Sequence, residues 1–238
     1  MEKLLRILTV LGVAVSIVVL AMAPAQAIPS LELGLAIDRS GSISAADLAL
    51  QKNAYINVLS NAAILPLDGS VAIGIWSFGS TVINHLPVTL IDDAGDIAAI
   101  VAAINAIVGG GSTALGPAIQ AAQAGLLGSG LNGLRQVIDV STDGVGNVGI
   151  NQVVAANAAV AAGIEQVNCL GVGAGANCNF EAGVGAFELT VASFADFENA
   201  LGRKIIRERG VPAPATLLLL GAGLLGVSVT VRRSRSIQ

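Results

Sequence analysis

Asp38-Arg39-Ser40-Gly41-Ser42 stands directly after the apolar run Leu31 to Ile37 and before a helix-like segment. A strand that ends in a carboxylate, followed by two hydroxyls two residues apart on a glycine-containing turn, can aim three oxygens at one point. That point lies above the carboxyl edge of a sheet, where open α/β sheets bind ligands. An all-oxygen donor set suits a hard divalent cation, Mg2+ first and Mn2+ or Ca2+ next. Asp and Ser are also ordinary turn and N-cap residues, so the pentapeptide alone does not decide between a site and a turn. Two distant segments add donors. Gly109-Gly110-Gly111-Ser112-Thr113 delivers a hydroxyl at the start of a helical pattern, and Asp143 closes a second apolar strand within Val137-Ile138-Asp139-Val140-Ser141-Thr142-Asp143-Gly144.

These donors need a scaffold that brings three chain segments to one edge. Leu31 to Ile37 is a continuous apolar run of strand length, as a central parallel strand buried on both faces requires. Ser44-Ala45-Ala46-Asp47 has the pattern of a capping box opening a helix to about Asn61. Val71 to Phe78 and Val82 to Leu90 are β-rich runs separated by Gly79-Ser80-Thr81, which predicts a hairpin and an antiparallel edge strand, with Trp76 and Phe78 in the core. Ile97, Ile100, Val101, Ile104 and Val108 follow helical spacing, so a helix is expected from about Asp92 to Val108, leading into the glycine loop. Thr113 and Pro117 open a third helix to about Leu127, and the strand Gln136 to Ser141 carries Asp143 at its end. A helix from about Ile150 to Gly163, strands Gln166 to Gly173 and Phe187 to Ala192, and a last helix opened by Ser193-Phe194-Ala195-Asp196 complete the alternation. The expected fold class is α/β, a doubly wound, mostly parallel sheet with one antiparallel edge strand, flanked by helices.

The order and spacing of the three donor segments resemble the von Willebrand factor A (VWA) domain and its metal-ion-dependent adhesion site (MIDAS), over roughly Glu32 to Arg207. The resemblance implies a Rossmann-like fold in which Ser40, Ser42 and Thr113 touch the cation through their hydroxyls. Asp38 and Asp143 would act through bound water, and one coordination position would stay open for a partner's carboxylate. Within that superfamily, the run from Val137 to Gly144 and the closing Gly185-Ala186-Phe187-Glu188-Leu189 and Phe194-Ala195-Asp196-Phe197 are similar to a bacterial branch. With only two carboxylates offered, a bound Mg2+ keeps Lewis acidity for an external acidic group. The expectation is therefore a binding module that engages an acidic group of an extracellular protein or polysaccharide. The alternative is a structural envelope or matrix component whose cation only stabilises the loops.

Both ends of the chain carry addresses. Residues 1–27 combine Lys3 and Arg6, an apolar stretch from about Ile7 to Met22 and the small-x-small Ala25-Gln26-Ala27, the layout of a secretory signal peptide. A retained N-terminal membrane helix is the alternative. The domain is then expected over 28–210. From 211 onward, Val211-Pro212-Ala213-Pro214 precedes an apolar helix at 216–231 and the basic Arg232-Arg233-Ser234-Arg235. This helix is marginally long enough for a hydrocarbon core of about 30 Å, and the basic cluster places the extreme C-terminus on the cytoplasmic side. The arrangement resembles the PEP-CTERM sorting signal of Gram-negative bacteria that export polysaccharide, with Ala213 where that motif most often has Glu. It implies an exosortase-type processing enzyme as a partner, and membrane contact through the C-terminal helix before processing. A retained helix would make the segment a simple anchor. Either way the chain is expected to be exported to the cell envelope, cell surface or extracellular matrix.

Composition narrows the function classes. The chain is 54% hydrophobic and only 3% aromatic, with 29 Gly, so its core must be built from small and aliphatic residues that let helices approach the sheet closely. From Ile28 to Gly202 there are 14 acidic residues and three basic ones (Arg39, Lys52, Arg135), a balance of −11. Such a surface repels phosphate backbones, which argues against nucleic acid, and it concentrates divalent cations. Cys169 and Cys178, in an exported domain, are expected to form a disulfide joining the end of a strand to the glycine-rich loop after it. The single histidine, His85, falls in the predicted edge strand, remote in sequence from the metal motif, so no Ser-His-Asp or Cys-His set can be assembled without it. An enzyme is not expected. Asp139 lies inside an apolar strand, where a carboxylate needs a partner. An edge-facing position or backbone N–H donors would supply one, and Asp139 is not counted among the ligands.

Overall fold

β1 (Leu31–Asp38) is buried along its whole length because both faces of the sheet are covered. The computed structural model describes residues 28–210; the expected signal peptide (1–27) and sorting segment (211–238, with its helix at 216–231) lie outside the described residues. β1 pairs in parallel with β2 (Val71–Phe78) on one side and with β4 (Gln136–Thr142) on the other. β3 (Val82–Leu90) adds to β2 antiparallel, closing the expected hairpin, while β5 (Gln166–Val172) and β6 (Glu188–Val191) extend the sheet in parallel from β4. The six-stranded order is β3-β2-β1-β4-β5-β6, with one antiparallel pair at the edge.

α1 (Ala45–Leu59), α2 (Ala94–Asn105) and α5 (Phe197–Glu208) pack on the face that carries Leu31, Leu33, Leu35 and Ile37. α3 (Leu115–Leu127) and α4 (Gln152–Ala161) cover the opposite face, against Ala36, Ile138 and Val140. Alternation along each strand thus feeds two aliphatic cores. The second core holds Trp76 and Phe78, as expected, and glycines make room for the indole. A Cβ on Gly125 would stand 2.3 Å from the Trp76 ring and one on Gly74 2.6 Å, so α3 meets the sheet at a distance that only glycine permits.

The first turn of α1 realises half of the expected box. Ser44 Oγ accepts from the Asp47 N–H (3.1 Å) and donates to Asp47 Oδ2 (2.7 Å). The start of α5 differs from the sequence expectation. Its N-cap is Asp196, without a side-chain cap, and Ser193 belongs to a preceding turn in which the Asp196 N–H donates to the Ser193 carbonyl (3.1 Å). Aromatic burial sets the entry: the Phe197 ring packs 5.6 Å from Tyr55 and 5.8 Å from Phe194. The Cys169–Cys178 disulfide is present, but it leaves from the middle of β5, where Cys169 pairs with Val140 and Glu188.

Asp139 is neither edge-facing nor held by backbone N–H groups. It points from β4 into the buried space under α5, where Lys204 Nζ stands 2.6 Å from Asp139 Oδ1 and 2.6 Å from Glu208 Oε1, all three side chains fully inaccessible. The partner was invisible in the sequence because it comes from a helix 65 residues later (204 − 139). Burial, and next the Asp139 charge, push the Glu208 carboxyl up to about 8, so it keeps its proton at neutral pH. With the folded value above the unfolded one, this group's stabilisation is complete below about 4.5 and is lost as pH rises through about 8. Denaturation midpoints measured between about pH 5 and pH 9 should therefore fall more steeply for the parent than for Glu208→Gln, whose side chain does not titrate. Equal slopes would contradict the assignment.

Candidate metal centre

The sheet grows in opposite directions from β1 and β4, so their carboxyl ends form the switch point where open α/β sheets receive ligands. Asp38 ends β1 there and is fully buried. Its Oδ1 accepts from the Ser40 N–H (2.8 Å) and its Oδ2 from Thr142 Oγ1 (2.6 Å) at the end of β4. Ser40 Oγ lies 3.0 Å from Ser42 Oγ, and Ser42 Oγ donates to Asp143 Oδ1 at 2.8 Å. A continuous run of oxygens therefore links the two strand ends. Burial pushes the Asp38 carboxyl above its usual range, and the nearby Asp143 charge adds to the push, against the hydrogen bonds from Ser40 and Thr142. Negative charge is held at this edge at a cost that a cation would relieve.

The glycine loop is bound to the same turn through its backbone. The Gly110 N–H donates to the Arg39 carbonyl (2.7 Å) and the Gly41 N–H to the Gly111 carbonyl (2.8 Å). Gly110 and Gly111 adopt φ of 122° and 94°, a region closed to most side chains. Thr113 is buried, with its N–H donating to Asn147 Oδ1 and its carbonyl accepting from the Asn147 N–H, both at 2.9 Å. Asn147 thus ties the Thr113 loop to the segment that carries Asp143. Of the five residues expected to hold metal, Asp38, Ser40, Ser42 and Asp143 are joined by direct hydrogen bonds, and Thr113 sits on a loop laced to theirs.

Sequence reading missed the supports. Thr142 is one residue from Asp143 and holds Asp38, while Gln51 Nε2 on α1 donates to the Asp38 carbonyl (2.8 Å). Arg39 turns away from the oxygens: its guanidinium donates to Ser77 Oγ (3.1 Å) and to the Val108 carbonyl (3.1 Å). Ser77 Oγ also meets His85 Nε2 at 2.7 Å. Because Ser77 accepts from Arg39, its own hydrogen is free for His85, whose imidazole is kept neutral by burial and by the Arg39 and Lys52 charges. This Ser-His pair has a fully buried serine, so it braces Arg39 and offers no exposed nucleophile. The carboxylates of Asp92, Asp93 and Asp96 also gather within 4.8 Å of one another. They cap α2, since Asp93 Oδ1 accepts from Gly95 and Asp96 N–H groups and Asp96 Oδ2 from those of Asp92 and Asp93.

A family model described as a protein of unknown function, DUF1194, matches residues 28–211. The chain belongs to this family. The PEP-CTERM protein-sorting motif matches residues 210–234 of the DUF1194 chain, which marks an exported, envelope-associated protein of Gram-negative bacteria. Among curated proteins none matches it in sequence. Among solved structures, a von Willebrand factor type A protein from Catenulispora acidiphila is 15% identical, with a TM-score of 0.62 over 77% of this chain and 43% of that one. The pilus adhesin SpaC from Lactobacillus rhamnosus GG is 16% identical, with a TM-score of 0.61 over 76% and 31%. Proximal thread matrix protein 1 from the mussel byssus, in a structure with a zinc-occupied MIDAS motif, is 17% identical, with a TM-score of 0.58 over 77% and 48%. The fold of this DUF1194 domain is VWA-like. The chain spans less than half the length of each of these proteins.

Proposed function

We propose that the domain is a binding module that holds a divalent cation, Mg2+ before Mn2+ or Ca2+, at Asp38, Ser40, Ser42, Thr113 and Asp143, and uses it to engage an acidic group on an extracellular protein or polysaccharide. The 3.0 Å separation of Ser40 Oγ and Ser42 Oγ is the observation that carries the reading. Adjacent ligands on an octahedral ion with bonds of about 2.1 Å are about 3 Å apart, a separation that the two hydroxyls match and that supports their use as neighbouring ligands. No nitrogen or sulfur donor takes part in this hydrogen-bonded set of side chains, which suits a hard cation. Beside Asp143 opens a cleft of about 330 Å³ lined by Asp47, Val172, Gly173 and Phe194, giving a partner room to reach the exposed side of the site. The adhesin and the zinc-bound matrix protein among the structural relatives lend the reading support by analogy. The reading extends to processing by an exosortase-type enzyme at the sorting motif and display at the cell surface or in its matrix.

The test is capture of an acidic polysaccharide by the immobilised protein in Mg2+ and in EDTA, with a neutral polysaccharide as the reference. Capture of the acidic polymer in Mg2+ alone, lost at least about tenfold in Asp38→Ala, is the expected outcome. Tight Mg2+ binding without capture of any carboxylate-bearing partner, protein or polysaccharide, would instead assign the ion a purely structural part.

A further inference from the structure

The buried cluster under α5 holds the components of an amide-forming reaction and stands apart from the metal edge. Lys204 Nζ is 2.6 Å from Asp139 Oδ1, yet that contact falls outside hydrogen-bond geometry, and among the described residues neither Asp139 carboxylate oxygen has a hydrogen-bond donor. Glu208 Oε1 receives Lys204 Nζ at 2.6 Å and Asn168 Nδ2 at 2.9 Å, while Glu208 Oε2 is buried with no partner among the described residues. The Phe187 ring closes the space 5.5 Å from the ammonium, and Tyr55 lies near enough to feel the Asp139 charge. An ion pair so desolvated and so poorly satisfied is a weak source of stability, and uncharged products are favoured in such a medium.

We infer that Lys204 and Asp139 condense within the folded domain to a side-chain amide, with Glu208 as the catalytic proton carrier, so that α5 becomes covalently stapled to β4. Transfer of one proton from Nζ to the Asp139 carboxylate converts the ion pair into an amine and a carboxylic acid. The Nζ lone pair then forms a bond to Asp139 Cγ. Glu208, protonated at the start, gives its proton to the departing hydroxyl as the Cγ–O bond breaks and takes the second proton from nitrogen on its other oxygen, and one water leaves. Glu208 ends in the state in which it began, and no oxidant or activated co-reactant is needed. Glu208 suits the task because burial keeps it protonated at neutral pH. Fixing amine and carboxyl in contact replaces a bimolecular step in water with an intramolecular one in a buried site. The staple would join the central sheet to the last helix before residue 211, where the sorting motif follows.

The test is mass spectrometry of the purified full chain after its disulfide is reduced and capped and both termini are mapped. The expected result is a mass one water below that of the open polypeptide, and a proteolytic fragment in which Lys204 is joined to Asp139. Asp139→Asn should close the same bond with loss of ammonia in place of water, and Glu208→Gln should slow closure by about 100-fold. Asp139→Ala should show no loss. A folded parent with the full open-chain mass would overturn the proposal, as would a water loss that maps to any other pair or to a succinimide. The parent's mass decides the matter even if a variant does not fold.

Discussion

Replacing Lys204 with methionine should lower the unfolding free energy by about 3–5 kcal/mol, since it leaves the Asp139 carboxylate buried without its counter-charge. Methionine keeps the length and apolar stem of the lysine, so little of the loss comes from packing. The affected group cannot turn to water: Asp139, Lys204 and Glu208 are all fully or almost fully inaccessible. Chemical denaturation of the parent and the variant measures the difference. Exposed Arg203 on the same helix gives the control, with Arg203→Met expected to change stability by less than about 0.5 kcal/mol. The paired change Asp139→Leu with Lys204→Met should recover the part of the deficit that comes from the unpaired charge, because it removes both charges and fills the space with apolar atoms. If the side-chain amide forms, the single change also removes a covalent tie, and the loss reaches or exceeds the upper end of the range. A loss no larger than that of Arg203→Met would mean that Asp139 finds another partner.

The site and the cluster differ in how far the sequence exposes them, and the reason is physical. Asp38, Ser40 and Ser42 are local: one turn carries all three, and its position after an apolar strand announces the edge. Thr113 and Asp143 lie far along the chain, yet each follows a glycine loop or a strand whose pattern is itself readable. The supports are different in kind. Thr142, Gln51 and Asn147 act through hydrogen bonds that depend on how strands and helices stack, and nothing in their local sequence singles them out. The same holds for the Asp139 partner: Lys204 falls at helical spacing with Phe197, Ala200 and Leu201 on the buried face of α5, but lysine is a residue type that a sequence reading assigns to solvent. The strand order was legible only in outline, as parallel strands alternating with helices, since register depends on which buried faces meet. Ser193 shows the converse error: a good local cap pattern gave way to the burial of Phe194 and Phe197.

Substituting Asp38 by asparagine should abolish Mg2+ binding while leaving the metal-free domain as stable as the parent or more so. The asparagine amide would still accept from the Ser40 N–H and could donate to Thr142 Oγ1, preserving both ties that Asp38 makes. What the change removes is a buried charge that burial and the neighbouring Asp143 already disfavour. In EDTA the variant should therefore melt at or above the parent's temperature. In Mg2+ the order should reverse, because a ligand at about 100 times its Kd stabilises the state it binds by about 2.7 kcal/mol. For a domain of this size that is a rise of about 5–10 °C in the parent alone. Titration calorimetry should find one saturable site in the parent and none in the variant. An equal rise in both proteins would place the ion elsewhere, the exposed carboxylates of Asp92, Asp93 and Asp96 being the first region to examine. No rise in either would sink the metal reading of this edge and leave its oxygens as the hydrogen-bonded lacing of a turn.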